Sequence, residues 1–281
     1  MVRGPDKPLA ERTGTGPISL GLFEHEVPVQ LIATPRATLH LCSVDQPLAE
    51  VLAAADGRDY HVLPVTRPDD GRTPIVGLLD LAPYRRGDVA AAGRVADAVR
   101  PLTEDDLIGA DAGILAYIRE ADRHGTRLVV SGPAISGIVT LSDIQRLPAR
   151  ACLFAMVTHL EMVMADAIRA EFGGGDGWRD RLSDGRQAKV AEKADLAGAD
   201  GVAGDTLQFT EIVDKLDIIT GRPGFPWSRK STTRAFDPII ALRDRLAHAN
   251  VIAATREAAH AVCATVREID LWIARLNESE A

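Results

Sequence analysis

The decapeptide GIVTLSDIQR, Gly137–Arg146, decides how the first half of the chain is read. Its β-branched start, Ile138 to Thr140, predicts a strand, and the polar Ser142 and Asp143 predict entry into a short helix. Upstream, RLVVS (Arg127–Ser131) predicts a second strand, joined to the first through a Gly-Pro turn. Ile114–Asp122 predicts a helix before it. The same order occurs earlier in the chain. Leu48–Ala55 reads as a helix, with Ser43 and Asp45 ahead of it as caps. HVLPVT (His61–Thr66) and PIVGLLDL (Pro74–Leu81) read as strands separated by the turn-rich RPDDGR. Gly77 and Gly137 fall at equivalent places, so the pattern predicts two copies of one unit packed about a pseudo-two-fold axis.

On Gly137, Thr140 and Asp143, preceded by Val129 and Val130, the second copy resembles a CBS domain, a small module that occurs in tandem and frequently binds adenosine nucleotides. The resemblance covers residues 27–147, as copies 27–86 and 95–147. It implies an α+β N-terminal tandem module in which Asp143 holds ribose hydroxyls and Thr140 lies near phosphate, with Gly137 in the same site. ATP, ADP or AMP is the regulatory ligand it implies. A carboxylate can accept from both ribose hydroxyls, and a helix start offers backbone N–H groups to an anion. Read from the residues alone, Thr140 equally ends a strand and Asp143 equally caps the next helix. The first copy departs from the pattern, with Asp80 at the place of Thr140 and Pro83 at the place of Asp143. Proline offers no side-chain acceptor, so one nucleotide pocket at most is expected, between the sheets and lined mostly by the second copy. The segment RPDDGRTP lengthens the first hairpin.

From Pro148 onward strand signals vanish. ARACLFAMVTHLEMVMADAIRAEF (Ala149–Phe172) repeats apolar residues at helical spacing, and LQFTEIVDKLDII (Leu207–Ile219) does so again. Trp178–Leu196 is a weaker helical stretch. Thr232–Ala249 and a long segment from Ile252 to about Leu276 follow. Residues 148–281 therefore predict an all-α bundle of five or so helices.

Within it stands ALRDRLAHAN, Ala241–Asn250. Arg243, Asp244 and His248 resemble the signature of HEPN domains, dimer-forming helical modules of prokaryotic toxins and RNA-cleaving defence proteins. The family context places the motif at the start of the penultimate or final helix. The resemblance implies a metal-independent ribonuclease with Arg243, Asp244 and His248 as catalytic residues and no catalytic cofactor. A five-residue spacing turns Arg243 and His248 apart by about 140° on a helix. A kink, or a symmetric dimer with motifs facing across a cleft, would reunite them. Glu161 stands mid-helix where it could face the same cleft or solvent. On the residues alone, the motif reads as salt-bridged arginines and a helix-ending histidine.

The stretch leading into the motif is basic and carries aromatics. Arg229, Lys230, Arg234 and Trp227 are its RNA-binding candidates, with Phe225 and Phe236 interleaved. A loop whose Trp227 fills the bundle core is the other reading. The net charge of −8 excludes a protein that coats nucleic acid nonspecifically but leaves room for a local cationic site. Cys42, Cys152 and Cys263 form no metal or disulfide pattern, which suits a reducing cytoplasm. Residues 1–26 read as a flexible tail, and no apolar run reaches bilayer-spanning length. The expected function is a nucleotide-regulated ribonuclease acting as a homodimer on RNA. The alternatives are a noncatalytic regulator whose helical part mediates dimerisation and protein binding, and an energy sensor whose helical part is structural.

Overall fold

The structure, a computed structural model, describes residues 27–58, 60–71, 73–199, 205–221 and 229–278. An α/β N-terminal region is followed by a helical C-terminal part. The first repeat contains β1 (Thr34–Pro35), β2 (Cys42–Ser43), α1 (Leu48–Ala55), β3 (Val62–Thr66), β4 (Ile75–Asp80) and the short α2 (Ala82–Arg85). The second contains β5 (Arg100–Pro101), β6 (Leu107–Gly109), α3 (Ile114–Glu120), β7 (Thr126–Ser131), β8 (Ala134–Thr140) and a 3-10 turn, Leu141–Gln145. The helix α1 starts differently from the expectation. Pro47 is its N-cap with no side-chain cap, because Ser43 pairs instead with Gln46 and with the Asp45 amide.

Two four-stranded sheets form, ordered β2-β3-β4-β5 and β1-β8-β7-β6. The edge strands are exchanged: β1 pairs with Gly137 and Ile138 of the second repeat, while β5 pairs with Gly77 and Leu78 of the first. This explains the two equivalent glycines. A Cβ on Gly137 would stand 2.6 Å from the Thr34 carbonyl oxygen, and one on Gly77 would collide with the Arg100 carbonyl. Ile75 and Leu78 of the first sheet pack on Leu128 and Ile138 of the second, so the sheets meet face to face. Helix α1 covers the outer face of the first sheet.

The helical part comprises α4 (Leu147–Phe172), α5 (Asp184–Ala199), α6 (Ile212–Thr220), α7 (Arg229–Ala247) and α8 (Arg256–Glu278). The expected single helix at Trp178–Leu196 is broken. A 3-10 segment, Asp176–Arg181, buries Trp178, and α5 starts only at Asp184. By length and composition α4 meets the requirement for crossing a membrane, which corrects the sequence expectation. Its apolar positions are nevertheless buried in the protein: Leu153, Met156, Leu160, Met164 and Ile168 are fully covered. Each such side chain contributes about 1.5–3 kcal/mol of transfer free energy. One hydrophobic core runs from Ile114 and Ile118 of α3 through α4 to Ile269 and Trp272 of α8. The second repeat thus shares its core with the bundle, whereas the first has a separate one around Val51, Val65 and Leu79.

Candidate functional site

Two places hold the residues singled out in the sequence. The first is the turn after β8. Asp143 is 5% exposed, and its Oδ2 accepts from the Thr140 amide (2.7 Å) and the Thr140 hydroxyl (2.9 Å). Its Oδ1 meets Nε of Arg146 at 2.8 Å. Arg146 reaches on to the Thr34 hydroxyl (2.8 Å) and the Ala33 carbonyl (3.2 Å), joining the exchanged strand β1 to the turn. Burial pushes the Asp143 carboxyl above the usual carboxylate range, against the pull of Thr140 and Arg146. The structure therefore gives Asp143 the capping geometry, and a ribose would have to compete with Arg146 for Oδ1. Gly137 sits under β1, where its missing side chain admits the Thr34 carbonyl.

Thr103 and Asp106 repeat this arrangement ahead of β6. The buried Asp106 accepts from the Thr103 amide and hydroxyl at 2.7 and 2.8 Å, and Arg100 holds both its oxygens at 2.7 Å. This pair was missed in the sequence, although Thr103–Asp106 has the same spacing as Thr140–Asp143. At the first-repeat positions, Asp80 is exposed and accepts from the Ala82 amide, and Pro83 lies in the first turn of α2. A cavity of about 270 Å³ opens in the first repeat, between α1 and the segments around His40 and Tyr60, away from Asp143.

The second place is the end of α7. The motif closes this helix rather than opening one. Thr232, Phe236, Ile239, Leu242 and Leu246 recur at helical spacing and are all buried, so the helix has an inward face from its first turn. Pro238 lies on the outer face and deletes only the bond to the Arg234 carbonyl. The helix stops where Ala249 turns left-handed (φ 54°), with the Asn250 amide bonded to the Arg245 carbonyl at 2.9 Å. His248 stands at this end, exposed, its imidazole making no hydrogen bond or ion pair among the described residues.

Arg243 points elsewhere. Its Nε lies 3.8 Å from Glu161 and its Nη1 3.2 Å from Asp244. Glu161 also faces Lys215 at 3.9 Å, a lysine only 5% exposed whose ammonium donates to the Thr210 carbonyl at 2.9 Å. Burial lowers the Lys215 pKa, against the raising effect of Glu161. Within one chain Arg243 and Asp244 are thus brought together, and His248 is not joined to Arg243.

Lys230 and Arg234 are exposed and share one face of α7 with Arg245 and His248. Arg229 opens that helix. Trp227 and Phe225 lie outside the described residues. Phe236 is not available to bases: it is fully buried, edge-on to Trp272 at a centroid distance of 4.7 Å.

No protein-family model matches the chain, and no curated protein matches it. Several solved structures are similar to its N-terminal half. The CBS domain of a bacterial CNNM/CorC family Mg2+ transporter in complex with ATP is 24% identical over 44% of this chain and 89% of that one, with a TM-score of 0.36. A CBS domain-containing protein of Bacillus anthracis is 14% identical over 43% and 91%, with a TM-score of 0.37. CBSX2 in complex with AMP is 19% identical over 42% and 92%, with a TM-score of 0.34.

Proposed function

We propose that the chain is a nucleotide-controlled, metal-independent endoribonuclease of toxin or defence type. A CBS pair would sense an adenosine nucleotide through the turn of Thr140 and Asp143, with Gly137 letting β1 close over it. A dimer of HEPN-like helical domains would cut RNA with Arg243, Asp244 and His248. The observation that carries the reading is the exposed His248 imidazole at the end of a helix whose same face presents Lys230, Arg234 and Arg245.

In this chemistry the ribose 2′-hydroxyl gives its proton to a general base and its oxygen attacks phosphorus. The bond to the 5′-oxygen breaks, that oxygen takes a proton, and a 2′,3′-cyclic phosphate remains. His248 serves as base toward the 2′-hydroxyl or as acid toward the leaving 5′-oxygen. Arg243 stabilises charge on the phosphorane oxygens, and Asp244 orients its guanidinium.

The dimer has a candidate face. Leu147 (77% exposed), Ala151, Phe154 (46%), Thr158 and Met162 (48%) form one exposed stripe along α4. An antiparallel copy laid over this stripe about Thr158 would set Phe154 against the partner's Met162. Because α7 flanks α4 through Arg243–Glu161, the two-fold axis would put both α7 helices on the same side of the pair.

Incubating the full-length protein with an RNA pool tests the reading. Cleavage to products ending in cyclic phosphate is expected from the wild type and not from His248→Ala, and cleavage surviving that change removes the catalytic assignment. The alternative is a noncatalytic nucleotide-sensing regulator that binds partners through its helices. It is favoured by the pairing of Arg243 with Glu161, and it expects no cleavage by either protein.

A further inference from the structure

The turn that carries Asp143 is physically tied to the segment that carries His248. The 3-10 turn Leu141–Gln145 contains both Asp143 and Gln145. Gln145 Oε1 accepts the backbone N–H of Ile252 at 3.1 Å, four residues beyond His248. Ile252 is 1% exposed, so this amide depends on Gln145 rather than on water. In the first turn of α4, the Arg150 Nη1 donates to the Asn250 carbonyl at 2.8 Å and its Nη2 to the Arg245 carbonyl at 3.4 Å. Arg150 thereby closes the C-terminal end of α7, where carbonyls lack helical partners.

Between these two anchors lies Ala249 in its left-handed conformation, an arrangement that costs free energy in a residue other than glycine and persists only where neighbours hold it. Gln145 comes from the sensor side of the molecule and Arg150 from the start of α4, and the strained residue adjoins His248.

We propose that Gln145 is a positioning residue for His248: it passes the state of the Asp143 turn to the Ala247–Ile252 segment, with Arg150 as the fixed pivot. Asp143 is held by Thr140 and by Arg146, which also grips β1, so any ligand that takes Asp143 from Arg146 must shift the turn that carries Gln145. The Ile252 amide follows, and the left-handed turn either keeps or loses its support. The effect requires that the ligand favour one arrangement over the other. This deepens the nucleotide-control reading by naming its route.

Backbone hydrogen exchange across residues 247–252 of the full-length protein tests it without reference to RNA cleavage. Removing the acceptor in Gln145→Ala is expected to speed exchange of the Ile252 amide by roughly two- to tenfold. Gln145→Glu, which keeps an acceptor oxygen, is expected to restore protection. Asp143→Ala should accelerate exchange at 247–252 in the wild-type background and add nothing in the Gln145→Ala background. Excess ATP or AMP, binding being read by a melting shift, should alter exchange at 247–252 in the wild type. In Gln145→Ala the melting shift should remain and the response at 247–252 should be lost. The proposal is overturned if Asp143→Ala changes exchange only at 140–146, or if the nucleotide response at 247–252 survives Gln145→Ala. A missing melting shift with both nucleotides would strike the nucleotide reading, while the Asp143→Ala comparison still decides the tie itself.

Discussion

Arg267 grips Asp122 with both terminal nitrogens, at 2.9 and 2.6 Å, and so fastens α8 to the end of the helix in the second repeat. Arg119 holds Asp270 in the same two-pronged way, at 2.7 and 2.9 Å, in the opposite sense. Helix α8 gives one arginine and takes one. Replacing Arg267 or Asp122 by Ala is expected to lower stability by about 1–3 kcal/mol, because the surviving partly buried charge loses its partner. A double-mutant cycle in urea should show clear coupling between the two. Strict additivity would mean that the clamp is passive.

The hydrogen bonds from Arg267 hold the Asp122 carboxyl below its usual range, and those from Arg100 do the same to Asp106. A carboxylate whose pKa is depressed by folding stabilises the protein above the unfolded value of about 3.9, and that contribution is lost as pH falls through the folded value. Asp106→Asn should therefore cost most near neutrality, and its difference from the wild type should shrink steadily below about pH 4. Unfolding curves across the acid range check this. A difference that stays constant with pH would contradict it.

Gly137→Ala and Gly77→Ala each place a methyl group against the backbone of an exchanged strand. A loss of about 1–3 kcal/mol is expected for each, from overpacking that no side-chain rotation relieves. Melting temperatures measure it. If both variants melt like the wild type, the strands approach less closely than described.

Glu161→Ala leaves the buried Lys215 ammonium and Arg243 without their shared carboxylate. Stability should fall by about 1–3 kcal/mol. Arg243 should also lose its fixed direction, so RNA cleavage by the folded variant should drop as well. Recovery of cleavage in Glu161→Gln, by hydrogen bonding alone, would locate the effect in geometry rather than charge.

Phe154→Asp together with Met162→Asp should convert a dimer to a monomer in sedimentation while leaving the monomer folded, since both residues are exposed. A wild-type protein that sediments as a monomer at micromolar concentration would remove the stripe as an interface.

The repeated order of the N-terminal half was legible because β3, β4, β7 and β8 are long enough to display β-branched runs, and because two glycines mark matching points. The exchange of edge strands was not. Thr34–Pro35 and Arg100–Pro101 are two residues long, too short for any alternation to be counted. The extent of α7 was legible in Thr232, Phe236, Ile239, Leu242 and Leu246; the same spacing puts Phe236 in the core, although the charges around it suggest an RNA contact. Lys215 offered a similar clue, since Ile212 and Ile219 flank it at helical spacing. The hydrogen bond from Ile252 to Gln145 joins residues more than a hundred positions apart, and no local pattern announces it.

The interchange of β1 and β5 makes the two repeats a single knit fabric. A polypeptide ending after the first repeat would own β1 but not the strand β1 pairs with, and would leave the outer rim of its own sheet bare. Such rims recruit neighbouring molecules, so each half produced alone should cling to others or aggregate. Two halves made in the same cell should find one another and reweave the pair.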